Sequence, residues 1–334
     1  MSKELKNCRI VNSTTYDPWS NLALEEYMLN NLNEGEIILY LWQNQNTVVI
    51  GRNQNAWKEC RCKLLEDEEG KLARRLSGGG AVFHDLGNLN FTFITDKELY
   101  NLEKQLEVIL HAARKMGIDA EFSGRNDLIV NGKKFSGNAF YYGSKSSYHH
   151  GTVLVDTDFN KLLRYLQVSK EKIQSKGVDS VRARVVNLKE LNSELTIDNM
   201  KTAMQESFIE LYGDISSNKD IDPSSDERIK EELGKYSSWE WRYGQTPDFD
   251  LDFDHRFDWG GIEIGLNLQK GHIKKATVYS DAMDVKLIQD IADVLEDIPL
   301  EINSIIDNIN KLKTNEEGKK HLKELNNWLK TREL

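Results

Sequence analysis

The dipeptide Asn131-Gly132 separates the β-prone run Asp127 to Val130 from a second segment that begins at Lys133. Asn-Gly is the favoured two-residue hairpin turn because both of its positions need positive φ. Strands joined that tightly run antiparallel, so a sheet built around this turn is not the all-parallel sheet of a doubly wound protein. Around it, strand-like runs at Glu36 to Trp42, Thr47 to Arg52, Ala81 to Asp85, Leu89 to Thr95 and Thr152 to Val155 mix with a helix-spaced stretch over Leu99 to Met116. Such a mixture indicates an α+β architecture.

A chain of 334 residues exceeds what one core usually organises, and two domains are expected. Its prolines are Pro18, Pro223, Pro247 and Pro299. Asp17-Pro18 has the form of an N-cap followed by proline in the first turn, opening a helix through Leu24, Tyr27 and Met28. The polar run Ser216 to Ser225 reads as an exposed connector, Pro247 after Gly244-Gln245-Thr246 as the hinge between domains, and Pro299 as a break between two short helices. Past the hinge, Ile262, Ile264, Leu266 and Leu268 alternate as a half-buried strand does. Lys270-Gly271 supplies a turn, Ile273 to Tyr279 returns, and Val285, Ile288, Ile291, Ala292 and Leu295 share a helix face. The expected division is a large domain over residues 1–245 and a small α+β domain over residues 248–334.

With 44 basic against 54 acidic residues the net charge is -10, so neither nucleic acid nor an anionic membrane is an expected partner. The N-terminal stretch is polar, and no run is apolar enough to span a bilayer; a cytoplasmic location is expected. The three cysteines, Cys8, Cys60 and Cys62, argue against a disulfide framework. Cys60 and Cys62 form a lone C-x-C on a predicted helix and read as packed thiols, since structural zinc normally takes four ligands.

The densest chemical signal is Arg74-Arg75-Leu76-Ser77-Gly78-Gly79-Gly80-Ala81-Val82-Phe83-His84-Asp85. Consecutive glycines let backbone approach a bulky ligand and turn N–H groups toward an anion, and the adjacent arginines can supply fixed charge. Neither G-x-x-x-x-G-K-[ST] nor G-x-G-x-x-G occurs, which disfavours P-loop hydrolases and dinucleotide-binding dehydrogenases. In Gly132-Lys133-Lys134-Phe135-Ser136-Gly137-Asn138-Ala139, alternation along a strand turns only one of the two lysines into a site, and the small residues nearby leave room for a ligand. His149 and His150 are adjacent on a strand and point apart, so they read as packing or substrate contacts and not as a metal pair.

Taken in order, these segments resemble the lipoate-protein ligase family within the biotin and lipoate protein ligase superfamily. The resemblance is carried by Asn21-Leu22-Ala23-Leu24-Glu25-Glu26, Thr47 to Arg52, Asn55 to Cys60, the Arg74 to Asn90 block, Gly124-Arg125-Asn126-Asp127, Lys134-Phe135-Ser136-Gly137 and His149-His150-Gly151. It covers about residues 9–245 and continues through Ser238-Trp239-Glu240-Trp241 into the small domain. It implies a large domain of mixed or antiparallel sheets flanked by helices, with a core related to class II aminoacyl-tRNA synthetases, and a small accessory domain that moves over the adenylate.

The resemblance also implies a two-step reaction. Lipoate and ATP give lipoyl-AMP and pyrophosphate, and a lysine of a lipoyl-carrier domain then displaces AMP. The implied acceptors are 2-oxoacid dehydrogenase E2 subunits and the glycine cleavage H protein. ATP and Mg2+ act as co-substrate and ion, with no tightly bound cofactor. By the same match Lys134 is the catalytic cation between lipoate carboxylate and α-phosphate, and Arg75 holds phosphate or carboxylate oxygens. Gly78, Gly79, Gly80, Ala81, Val82 and Phe83 lie against nucleotide and lipoyl chain, with Val49 a further wall. His84 and His149 are contacts near the acyl group. Asn126 and Asp127 belong to the nucleotide site, Asp127 as a Mg2+ or ribose contact. An apolar acyl tunnel discriminates by only about 1–3 kcal/mol, so octanoate is expected to serve as a poorer substrate. Two alternatives remain: an acyltransferase of the same superfamily working through a cysteine thioester, and a non-catalytic module that only docks onto lipoyl domains.

Overall fold

The computed structural model describes residues 4–123, 127–167, 184–243, 250–269 and 271–332. Two compact units emerge. One comprises residues 1–49, 57–74 and 82–242; the other comprises residues 50–56, 75–81 and 243–334.

The first unit is organised by an eight-stranded mixed sheet. Its strands are β1 (Asn7–Ser13), β2 (Glu36–Trp42), β6 (Asn88–Asp96), β7 (Glu121–Phe122), β8 (Asp127–Val130), β9 (Lys133–Tyr142), β10 (Ser146–Leu154) and β11 (Ser217–Ile221), in the order β11-β1-β2-β6-β10-β9-β8-β7. β1 runs parallel to β2 and β11, and the other pairings are antiparallel. A second sheet of β3 (Thr47–Ile50), β4 (Lys71–Arg74) and β5 (Val82–His84) has the order β4-β3-β5. The Asn-Gly turn forms as expected, with φ of 51° at Asn131 and 73° at Gly132.

The large sheet has two unlike faces. Leu39, Leu41, Phe91, Phe93 and Val153 belong to the hydrophobic core with Leu106, Ile109 and Ala113 of the helix Leu102–Lys115 and Met204 and Phe208 of the helix Ile197–Tyr212. Burying each such Leu or Phe contributes about 1.5–3 kcal/mol. The residues between them in sequence, Tyr40, Trp42, Asn90 and Thr92, turn to the opposite face and are buried there as polar or amphipathic groups. The helix Pro18–Asn30 serves that face. It begins as its sequence suggests, with the Asp17 carboxylate accepting from the Ser20 N–H at 2.9 Å and Pro18 in the first turn.

Two local expectations change. The run read as a connector around residue 216 is the edge strand β11, pairing Arg9 with Ser217 and Asn12 with Asp220. Its polarity suits an edge, since its outer side faces solvent and Asn12 donates to both Asn218 and Asp220 at 3.0 Å. Cys60 lies between two short helices, Ala56–Glu59 and Cys62–Asp67, and bridges to Leu166, while Cys62 opens the second helix; all three cysteines are buried. The expected hinge at Gly244 to Pro247 lies outside the described residues.

The second unit contains an antiparallel sheet of β12 (Leu251–Phe257), β13 (Gly260–Gln269), β14 (His272–Ser280) and β15 (Ile298–Pro299). Ile262, Ile264 and Leu266 are buried with Leu287, Ile288 and Ile291 of the helix Val285–Val294, as their spacing suggests. Pro299 sits on the edge strand β15, where a missing N–H costs no ladder bond. No described helix is long and apolar enough to cross a membrane.

Candidate active site

Register defines the polar face of the large sheet. Ala139 pairs with His150 and His150 with Thr92, so these three residues share a face, and Gly137 joins them two residues along β9. Glu25 enters from the helix Pro18–Asn30. Thr92 Oγ1 donates to Glu25 Oε1 at 2.6 Å, Trp42 Nε1 donates to Thr92 Oγ1 at 3.1 Å, and His150 Nδ1 lies 2.9 Å from the same carboxylate oxygen. Glu25 is 1% exposed, and a buried carboxylate is tolerated only when paired and hydrogen-bonded in this way. His84 presents its ring edge-on to Trp42, with centroids 6.2 Å apart, while its Nδ1 lies 3.2 Å from the Asn44 amide.

Lys134 belongs to the same surface. Its Nζ sits 2.7 Å from Asp127 Oδ1, with both side chains about one-third exposed. Its backbone is fixed by donating to Arg184 O at 2.7 Å and accepting from the Val186 N–H at 2.9 Å. Lys133 faces solvent, as alternation requires. Asn126 and the preceding Gly124-Arg125 lie outside the described residues.

His149 points to the other face. It is fully buried against Phe91, Phe93 and Phe140, with Nε2 2.7 Å from Asn138 Oδ1 and Nδ1 3.2 Å from the Gln105 amide. Burial pulls its pKa down to about 3, so the ring is neutral. Both contacts are satisfied together when Nε2–H donates to Asn138 and the Gln105 amide turns its NH2 toward Nδ1. His149 is thus built as a core group. Phe83 is likewise buried, against Tyr165 at 5.5 Å, with Val49 also buried and Val82 half-buried.

The basic pair splits along its strand. Arg74, in the first unit, donates from Nε to Trp241 O and from Nη2 to Arg242 O at 2.8 and 2.9 Å, while Trp241 Nε1 returns a bond to Arg74 O at 2.8 Å. This reciprocal clamp gives the Trp239–Tyr243 motif a structural task. Arg75, in the second unit, turns its guanidinium onto the glycine loop, donating to Ser77 Oγ at 3.0 Å and to Gly78 O and Gly80 O at 2.7 and 2.8 Å.

Within the second unit the three glycines are not equivalent. A Cβ on Gly78 would strike the carbonyl oxygens of Ala282 and Met283; Gly79 has φ of +87° and donates to Ala282 O at 3.3 Å; a Cβ on Gly80 would meet nothing within 4 Å. The loop therefore packs tightly at its first position and opens at its last. The segment 50–56 is fixed in the same unit, with the Ser280 N–H donating to Asn53 O at 2.7 Å and Asn53 Nδ2 to Val285 O at 3.1 Å.

Glu25 stands out in structure but not in the sequence reading of the site, which had Gly137 only among the small residues that leave room for a ligand. Glu25 had one legible signal, a carboxylate in line with the buried Asn21, Leu22 and Leu29 of its helix. Among the described residues no group of three His, Cys, Asp or Glu side chains is arranged to hold a metal ion.

Comparison with known proteins gives the family of the chain. Residues 17–209 match the family described as lipoyl protein ligase A/B catalytic domain, and residues 246–329 match the bacterial lipoate protein ligase C-terminus. Lipoate-protein ligase A of Psychrobacter cryohalolentis is 42% identical over 306 residues, covering 89% of this chain and 90% of its own. Among solved structures, P. falciparum LipL1 in complex with lipoate has a TM-score of 0.85 at 31% identity, covering 98% of this chain and 100% of that one. A bipartite lipoate protein ligase from Thermoplasma acidophilum, described with its E2 lipoyl domain, has a TM-score of 0.64 at 27% identity over 74% of this chain and 100% of that one. A lipoate-protein ligase A bound with ATP has a TM-score of 0.62 at 26% identity over 72% of this chain and 99% of that one. The chain belongs to the lipoate-protein ligase A family and is a ligase.

Proposed function

We propose that this ligase joins lipoate to ATP and then transfers the lipoyl group to a lysine on lipoyl-carrier domains. The observation that carries the reading is Lys134, a half-buried ammonium on the polar face of the sheet, held beside Asp127. Relatives described as bound to lipoate, bound to ATP and paired with an E2 lipoyl domain supply the three reactants.

In the first step a lipoate carboxylate oxygen attacks the α-phosphorus and pyrophosphate leaves. Two anionic groups must meet, and the phosphoryl oxygens gain charge in the transition state, so a prepositioned ammonium lowers the barrier electrostatically. Lys134 supplies that charge without forming a covalent bond. In the second step the acceptor ε-amine attacks the acyl carbonyl, AMP departs on the cleaved acyl–phosphate bond, and the amine loses its proton. Arg75 is assigned to the glycine loop's architecture, holding its carbonyls, and Gly80 to Phe83 to the nucleotide and acyl chain. Asn126 is assigned to the nucleotide.

Mg2+ prefers one or two carboxylates with substrate phosphates and water. Asp127 fits as one such ligand, and with no three-ligand cluster among the described residues the ion would be held mainly by ATP. It would neutralise phosphate charge there.

The thioester alternative needs an accessible thiolate. Burial raises the Cys8 thiol, contact with Cys62 and burial raise that of Cys60, and the contact with Cys60 lowers that of Cys62; at 4%, 1% and 3% exposed, Cys8, Cys60 and Cys62 are all shut away from an acyl donor. Acceptors are proposed among E2 lipoyl domains and the glycine cleavage H protein, in the cytoplasm. The test is the mass of a lipoyl-domain acceptor after incubation with enzyme, ATP, Mg2+ and lipoate. A lipoyl increment from free lipoate that requires ATP and survives replacement of Cys60 and Cys62 by alanine supports the ligase, and an ATP-independent increment taken from an added acylated carrier domain and lost with the thiols supports the acyltransferase.

A further inference from the structure

The surface on which Lys134 rests is a glycine. A Cβ built at Gly137 would lie 2.7 Å from both Cε and Nζ of Lys134, so the lysine fills the space where the side chain of residue 137 would stand. Two features of the hairpin bring this about. Residues three apart on a regular strand face opposite ways. Here β8 pairs Leu128 with Ser136 but Ile129 with Lys134, leaving Phe135 as an extra residue in β9. That bulge brings Lys134 round to the face of Gly137. Asp127 is the direct cross-strand partner of Gly137, so its carboxylate rises beside the vacant position and meets the ammonium at 2.7 Å.

We propose that Gly137 is a positioning residue for the ligation reaction: its lack of a side chain allows the Lys134 ammonium to lie at Asp127. The proposal rests on the reading of Lys134 as the cation of adenylation. A methyl group at 137 would strike the free end of a flexible side chain and not backbone, so the chain accommodates it by swinging the lysine away. Displacing a catalytic group by about 1 Å costs on the order of 100-fold in rate.

The experiment compares Gly137→Ala, Lys134→Ala and the double variant in the full chain. Gly137→Ala should keep the wild-type unfolding temperature. Its kcat for pyrophosphate release from ATP and lipoate should fall about 100-fold, with little change in KM for lipoate. In the Lys134→Ala background the glycine substitution should add nothing, because both act through one ammonium. A readout independent of activity is the rate at which a water-soluble amine-reactive ester labels Lys134, followed by peptide mass spectrometry. It should rise severalfold in Gly137→Ala as the ammonium leaves its carboxylate. Unchanged labelling, a loss that adds in full to that of Lys134→Ala, or an unfolded Gly137→Ala chain would each overturn the proposal. Faster labelling in Gly137→Ala together with full activity in Lys134→Ala would uphold the placement by Gly137 and overturn only the catalytic reading of the lysine.

Discussion

The glycine loop from Ser77 to Ala81 and the hairpin from Asp127 to Gly137 both join a cation to glycine, but the glycines do opposite work. In the loop, Arg75 holds the carbonyls of Gly78 and Gly80, and Gly78 is required because backbone of Ala282 and Met283 lies against its Cα. In the hairpin, Gly137 is required by the tip of a side chain, Lys134. A glycine that admits backbone protects the fold, whereas one that admits a flexible side chain protects the chemistry. Residue type alone does not tell the two apart.

The largest expected effect sharpens the functional half of this contrast. Lys134→Ala should lower the rate of pyrophosphate release by roughly 100- to 1000-fold, the usual loss when one preorganised donor to a developing oxyanion is removed. Because the lysine is one-third exposed, its unfolding temperature should stay near wild type. Loss of stability without loss of rate would break the comparison.

Gly78→Ala should do the reverse. Its methyl group would sit 2.7 Å from Met283 O and closer still to Ala282 O, an overlap with backbone that costs about 1–3 kcal/mol. The expected signature is a lower unfolding temperature of the second unit and faster proteolysis around the loop.

His149 adds a pH axis to the fold-bearing side. Its pKa is near 3 folded against an ordinary value near 6.5, so the unfolded chain binds the extra proton between those limits. Stability is therefore full above about pH 6.5 and falls as the pH drops toward 3, with a slope of about 1.4 kcal/mol per pH unit from this group. His149→Gln should flatten that part of the curve of unfolding free energy against pH.

The smallest effect is expected at Gly80. Nothing lies within 4 Å of a Cβ there and its φ is not positive, so Gly80→Ala should shift stability by less than about 1 kcal/mol in either direction. A raised KM for ATP in that otherwise stable variant would show that the open end of the loop approaches the nucleotide.

Much of the fold was legible because its signals are local. Asn131-Gly132 needs only its own φ angles, Asp17-Pro18 only the first turn of its helix, and Ile262 to Leu268 only the period of a strand. β11 was not legible, since its partner Arg9 is more than two hundred residues away and its side chains are those of a loop. At the site, alternation reduced two lysines to one, and the family resemblance chose Lys134. It could not show that Arg74 and Arg75 divide between a helix terminus and the glycine loop, because that depends on where Trp241 and Gly78 lie in space. His149 and His150 were seen to point apart, but which faced the apolar core was fixed by Gln105 and the phenylalanines around it. Glu25 was hidden in a helix motif until Thr92 and His150 came together across two strands.

The extra residue in β9 sets a rule about register. If the strand straightened at its present length, Phe135 would stand opposite Ile129 and Lys134 would turn to the other side of the sheet, whereas deleting Phe135 would remove the bulge and leave Lys134 two residues from Gly137, on its face. Parity here is set by the bulge and not by the number of residues alone. Any substitution in the segment that favours even pairing over the bulge should therefore take the lysine off its face.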